Sequence, residues 1–303
     1  MRIMDKWDGK RVLVIGIGGG GDIASTLPTA TFLERMGAEV IFGSVIWDRY
    51  VIDPKPGPRA LEELQEIERI TERTAWILPG CHADGIHLTV GKAAEVLGRI
   101  LGLDITAGVF GVVRSLRETL EILEIDAVIG IDAGGDAIAT GYESGLCSPL
   151  CDSIMVSSLA QLPSSALGVF GFGSDGELRK EELLRNMSLI SAHGGYLGAI
   201  GMDEEIASRM ERLINRISTE ASAVPLKSFH GKLGWSTIRK GRHVEFSLLT
   251  TVTFFFDPRV IVEHVNEIAR ALGDTSSIEE ANERVHSFGV FTELDYERMV
   301  SDL

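Results

Sequence analysis

The chain has 303 residues, 45% of them hydrophobic, enough for one large domain or a core with a smaller appendage, so its stability need not be borrowed from metals or disulfides. Lys and Arg number 29 against 44 Asp and Glu, a formal charge of -15 that repels polyanions and argues against nucleic acid or an anionic membrane as a partner. Three cysteines, Cys81, Cys147 and Cys151, are an odd set in so large a chain and point to reduced thiols in the cytoplasm rather than a disulfide framework.

The first segment carries charges at Asp5, Lys6, Asp8, Lys10 and Arg11, and its short apolar run goes straight into glycines, unlike a secretory leader. No apolar stretch is long enough to span a bilayer. From Arg11 to Ile17, RVLVIGI is apolar on both faces, as a buried parallel strand is, and it stops at glycines before the helical pattern ASTLPTATFLERMGA. Pro28 falls in the early turns of that helix and Gly37 ends it before a second strand, Glu39 to Val45. The order is that of a right-handed parallel crossover.

Trp47 to Pro58 reads as a loop, and ALEELQEIERI, with Leu61, Leu64, Ile67 and Ile70 at helical spacing, predicts a charged helix. The next stretch predicts a short strand, a loop around Gly80 to Gly85, and a helix turning Ala93, Val96, Leu97 and Ile100 inward. A helix over VVRSLRETLEILE leads to a strand from Asp126 to Asp132. Further on come a helix starting near Ser148-Pro149, a strand from Ala166 to Gly173, and helices around Lys180 to Leu189 and Asp203 to Ile217. Between those helices HGGYLG, His193 to Gly198, reads as a helix-to-helix turn or as a ligand loop with Tyr196 for stacking. After about Ala223 aromatic and β-branched residues dominate, and a helix follows at PRVIVEHVNEIARAL. The expected architecture is α/β: a Rossmann-like three-layer sandwich with a mostly parallel sheet over residues 1–223, and a smaller α+β C-terminal extension or subdomain over 224–303.

Residues 14–26, VIGIGGGGDIAST, align without a gap on residues 128–140, VIGIDAGGDAIAT. Two apolar strands thus end in similar loops, and open α/β sheets bind ligands at the carboxyl ends of strands, above all where strand order reverses. If the two strands are neighbours, both loops face one crevice. Gly18, Gly19, Gly20 and Gly21 in the first loop, and Gly134 and Gly135 in the second, let backbone N–H groups approach a ligand. Gly16, Gly18 and Gly21 satisfy G-x-G-x-x-G, but Gly43 and Ser44 stand where a dinucleotide fold needs an acid, and no Lys-Ser or Lys-Thr follows the glycines. Ordinary NAD and P-loop binding are therefore disfavoured. Asp22 and Asp136, at helix starts, would repel a bare phosphate, and a bridging cation removes the conflict. Asp22, Asp132 and Asp136 are candidate ligands for a divalent metal, Mg2+ given all-oxygen donors, or would grip an ammonium or a sugar hydroxyl. The alternative is that each Asp only caps its helix.

GIGGGGDIAST, GIDAGGDAIATG, ESGLCSPLCD, FGSDGEL, TEAS and FFFDP, in this order, resemble a prokaryotic family catalogued as domain of unknown function 1152. The likeness runs through nearly the whole chain. It implies a Rossmann-like fold and no established activity. It adds candidate positions: Glu143, Ser148 and Asp152, Asp175 and Glu177, and Glu220 and Ser222. Cys147 and Cys151 stand where the family pattern has small residues, which weakens a catalytic role for those thiols. GIDAGGDAIATG is also locally similar to the Asp-Gly-Gly-Asn-Glu loop of D-glutamate cyclases, with the Asn-Glu pair replaced by Asp136-Ala137, and implies only that such a loop can bind amino acid carboxylates.

Asp175 and Glu177 follow a strand at the carboxyl edge, where a site would form, or where a cap or turn would use them. Cys81, His82, Asp84 and His87 lie close in sequence, with His82 and Asp84 candidates for metal or acid–base work. Cys147 and Cys151 have poor zinc spacing and read as core. Arg239, Lys240, Arg242 and His243 read as a hairpin tip or, alternatively, a phosphate clamp. The whole predicts a small-molecule enzyme that binds a phosphorylated or carboxylated metabolite with Mg2+, or a non-catalytic nucleotide or metabolite sensor using the same crevice. Homo-oligomer formation is left open.

Overall fold

The computed structural model describes residues 6–238 and 241–302. Among them the strands are β1 (Arg11–Gly16), β2 (Glu39–Val45), β3 (Gln65–Arg69), β4 (Thr74–Ala83), β5 (Ile86–His87), β6 (Ile100–Leu103), β7 (Ala127–Ala133), β8 (Ser165–Phe170), β9 (Tyr196–Gly201), β10 (Gly234–Thr237), β11 (His243–Phe246) and β12 (Val252–Phe256). The main sheet runs β3-β4-β6-β2-β1-β7-β8-β12-β9, with β5 paired on β4. Its centre, β6-β2-β1-β7-β8, is parallel throughout. From β1 the chain builds outward through β2 and β6, then returns to build the other way through β7 and β8. The order therefore reverses between β1 and β7, the neighbours that carry the duplicated loops.

Strand β1 explains its own doubly apolar sequence. Leu13 and Ile15 enter the core on one face of the sheet, Val12 and Val14 the core on the other, all fully buried. The first face is covered by the helices Gly108–Ile122, Pro149–Ala160 and Lys180–Ala192, the second by Leu27–Arg35, Thr89–Leu97 and Glu204–Ile214. This is the three-layer, Rossmann-like α/β sandwich. No helix among the described residues is long and apolar enough to cross a membrane.

Several local expectations are corrected. ALEELQEIERI is not a helix: a 3₁₀ turn, Leu61–Glu63, gives way to β3, which pairs antiparallel with β4. Its apolar residues recur at every third place only, which is too thin a stripe to hold a helix, and pairing of Ile67 with Ile77 overrides the propensity of its glutamates. Ile100 belongs to β6, a buried core strand whose four residues offer too short an apolar run to separate from the preceding helix. β4 runs through most of the expected loop, as far as Ala83. HGGYLG is neither a helix-to-helix turn nor a loop throughout, since β9 begins at Tyr196.

After Ala223 the chain returns to the main sheet. β12 inserts antiparallel between β8 and β9. That position explains its unbroken phenylalanines: Phe255 and Phe256 fill opposite cores. Only the antiparallel pair β10–β11 stands apart, on a small cluster of Val224, Val244 and Phe246. Of the basic cluster, Arg239 and Lys240 lie outside the described residues.

Candidate functional site

Parallel pairing of β1 with β7 puts Gly16 beside Ile131, so both glycine loops leave the same edge of the sheet as neighbours. The helix Pro149–Ala160 brings Asp152 against them, and the loop after β8 brings Asp175 and Glu177. These elements enclose a cavity of about 30 Å3 lined by Gly18, Asp22, Asp132, Asp136, Asp152, Asp175 and Glu177, with Arg49, Ser148, Ala133 and Ala221 completing the wall.

Asp22 does not cap its own turn. Its Oδ2 accepts the N–H of Gly18 at 3.0 Å and of Ala133 at 3.3 Å, tying the first loop to the end of β7. The glycine at position 18 is needed for room, since a Cβ there would lie 2.6 Å from Asp22 Oδ2 and 3.2 Å from both oxygens of Asp152. Gly134, in a left-handed conformation with φ 134°, lies under Asp175, whose carboxylate a Cβ would meet at 2.3 Å. The glycines thus admit the protein's own carboxylates. Several of the N–H groups expected to cradle a ligand are already used: Gly20 N–H donates to Trp47 O and Gly134 N–H to Phe170 O. Gly19, Gly20, Gly21 and Gly135 shape the loops behind the cavity and do not line it.

One oxygen each from Asp22, Asp132 and Asp152 lies within 4.8 Å of the others, the only group of its kind among the described residues. Asp132 Oδ2, Asp152 Oδ1 and Asp175 Oδ2 are buried without a hydrogen-bond partner. Asp136 lines the same cavity but stands outside the close triad. Burial pushes every one of these acids up: Asp22 to about 6, and Asp175 to about 7 with help from Glu177. Asp132, Asp136 and Asp152 rise well above the usual carboxylate range, through burial first and then through one another's charge. Charged oxygens so close together in a low dielectric demand protons or a cation.

Glu177 plays a different part. It accepts the N–H of Cys147 at 2.9 Å and of Ser148 at 3.0 Å, takes the Ser148 hydroxyl, and pairs with Arg242 Nη1 at 2.9 Å. It therefore fixes the entry to the helix Pro149–Ala160, with Ser148 as its partner rather than as a free hydroxyl. Glu293, at the start of the helix Glu293–Ser301, supports the same entry by accepting the N–H groups of Leu150 and Cys151. Burial pushes its carboxyl up to about 8. Arg242 also donates to Asp175 O and Cys147 Sγ, so the β10–β11 pair is fastened to the site through one guanidinium.

Arg49, on the loop after β2, is exposed at the cavity wall near Asp22, and its guanidinium forms no hydrogen bond or ion pair within the described residues. Glu143 is not part of the wall. Its oxygens accept the N–H groups of Thr140, Gly141 and Tyr142 and the Asn186 amide, which organises the turn after the second loop. Ser222 holds the first loop from behind, bonded to Ser25 and Gly21 O. Of Cys81, His82, Asp84 and His87 only the two histidines meet, as stacked rings 6.2 Å apart on paired strands: Cys81 is buried, His82 Nδ1 meets Gly80 O, and Asp84 pairs with Arg59 at 2.6 Å. Arg49 and Glu293 carried no sequence signal of a site, because neither stands in a motif near the glycine loops.

A family profile described as "Protein of unknown function (DUF1152)" matches residues 13–301, and the chain belongs to that family. No curated protein matches it.

Proposed function

We propose that this protein is a small-molecule enzyme of the cytoplasm that holds a divalent cation, Mg2+ by preference, between Asp22, Asp132 and Asp152, and through it binds a phosphorylated or carboxylated metabolite at the strand carboxyl ends. The observation that carries the reading is the triad of buried carboxylates within 4.8 Å, with Asp132 Oδ2 and Asp152 Oδ1 unpartnered. All donors are oxygens, the preference of Mg2+ and Ca2+ rather than of zinc. The location supports it too, since ligands of such sheets sit at the point where strand order reverses. Asp136 belongs to the same wall and serves the cation at longer range.

A bare phosphate would face six carboxylates, so recognition of an anion runs through the cation and through Arg49. The cation would polarise a bound phosphoryl or carboxyl oxygen and stabilise charge as it develops. Calorimetric titration of the full chain with Mg2+ tests this: the wild type binds, Asp132→Asn does not, and no heat from the wild type would refute the cation site. Metabolites are then screened with and without Mg2+. Turnover of a hit supports the enzyme, whereas tight binding without turnover favours a sensor.

A further inference from the structure

A second cavity lies at the opposite end of the same strands. Its volume is about 530 Å3, and Ile125, Asp126 and Ser164 place it where β7 and β8 begin. The length of β7, about 20 Å at roughly 3.3 Å per residue, separates it from the carboxylates. Arg117, Leu120 and Glu121 of the helix Gly108–Ile122 form one side, and Arg259 of the helix Pro258–His264 stands across the loop that leads into β8. Leu120, Ile125, Ala160, Leu162 and Pro163 make most of the wall apolar, with Ile125 and Leu162 belonging to the core beneath.

Both arginines are exposed, yet both are anchored. Arg117 Nη2 donates to Gln161 O at 2.7 Å, and Arg259 Nη2 donates to Leu162 O at 2.8 Å and to Pro163 O at 3.0 Å. Neutral carbonyls hold the guanidinium groups in place without answering their charge. Among the described residues neither arginine has an ion pair, and Nε and Nη1 of each make no hydrogen bond, in a chain whose 44 acids outnumber its 29 Lys and Arg. Two acids share the wall. Asp126 is already engaged by Lys10 Nζ at 2.8 Å and by the Arg11 N–H at 2.9 Å, so two guanidinium groups stand against Glu121 and leave one net positive charge.

We propose that this cavity binds an organic monoanion, a carboxylate carried on an apolar body, with its head drawn to Arg117 and Arg259 and its tail laid on Leu120, Ile125 and Pro163. The volume falls in the range of small-molecule sites, about 300–1,000 Å3. Guanidinium N–H groups suit a carboxylate, and anchored ones lose little freedom on binding it. A polyanion is disfavoured by Glu121 on the wall and by the formal charge of -15 around it.

Octanoate is the probe, with 1-octanol as its uncharged match, each titrated into the full chain by calorimetry. Saturable binding of one octanoate per chain is expected, about tenfold tighter than 1-octanol, and the double variant Arg117→Gln with Arg259→Gln should lose about that factor. Glu121→Gln, which breaks no anchoring bond, should tighten octanoate several-fold. Asp132→Asn should bind octanoate as the wild type does; loss of binding there would move the ligand to the cation cavity and overturn the assignment. No saturable binding, or equal binding of 1-octanol, would overturn it as well. If the arginine variant fails to fold, as circular dichroism would reveal, Glu121→Gln decides, and an unchanged octanoate affinity in it counts against the proposal.

Discussion

The Asp22 carboxylate accepts the backbone N–H of Ala133 at 3.3 Å, a contact that spans from one glycine loop to the other. It joins residues 111 positions apart in sequence and makes the two halves of the duplication one wall. The aspartate is therefore part of the architecture of the crevice as well as a candidate ligand. Substituting it perturbs both, which makes Asp132 and Asp152 the cleaner probes.

Gly18 tests whether space for the carboxylates is what the loop provides. Gly18→Ala needs no strained φ, but its Cβ would crowd Asp22 and Asp152. Overpacking of this kind costs about 1–3 kcal/mol. The expected result is a folded protein, with a Mg2+ dissociation constant raised at least tenfold in calorimetry. Unchanged Mg2+ affinity would show that the carboxylates are not held in position by that gap.

Glu293 gives a pH prediction. Its ordinary value is 4.5 and burial raises it to about 8 in the folded chain. The folded state thus binds the proton more tightly than the unfolded one, and the stability it contributes is complete below about pH 4.5 and lost as pH rises through about 8. Glu293→Gln, which keeps the neutral form, should gain stability relative to the wild type between pH 6 and 9 in urea denaturation. A difference that does not vary over that range would contradict it. Asp175, pushed to about 7, adds to the same loss in metal-free protein, and saturating Mg2+ should flatten the wild-type profile.

Arg49 forms no hydrogen bond or ion pair within the described residues, feels the charge of Asp22, and stands at the cavity wall. Charge-assisted hydrogen bonds contribute roughly 1.5–3 kcal/mol. Arg49→Ala should therefore weaken an anionic metabolite about tenfold to a hundredfold while leaving Mg2+ affinity and thermal midpoint nearly unchanged. A loss of Mg2+ binding instead would place the guanidinium in the metal site's own support.

The C-terminal segment should be inseparable from the sheet. β12 pairs with both β8 and β9, and Phe255 is fully buried. Phe255→Ala should cost about 3–5 kcal/mol and lower the melting midpoint by roughly 6–20 °C in calorimetric scans. A chain ended at Ala223 would expose unpaired edges of β8 and β9 and should not fold cooperatively.

The core of this fold was legible because its strands are buried on both faces and bounded by glycines: Glu39–Val45 stands as expected, and β1 and β7 within a residue or so. The duplication indicated that Asp22, Asp132 and Asp136 share a crevice, provided the strands are neighbours, and the pairing of β1 with β7 meets that condition. What was illegible depends on long-range partners. β3 is an exposed edge strand rich in glutamate, and only its pairing with β4 makes it a strand. β12 lies between β8 and β9, some fifty or more residues distant, and no local pattern reveals that insertion. Arg49 and Glu293 reach the site from loops and helix starts whose sequences are ordinary, so their roles come from topology alone.

The most direct measurement is a Mn2+-soaked crystal with anomalous diffraction recorded at the manganese edge. The assignment predicts a peak bonded at about 2.1 Å to carboxylate oxygens of Asp22, Asp132 and Asp152. A map without a peak in that cavity at saturating Mn2+, or with manganese only on surface acids, would contradict it.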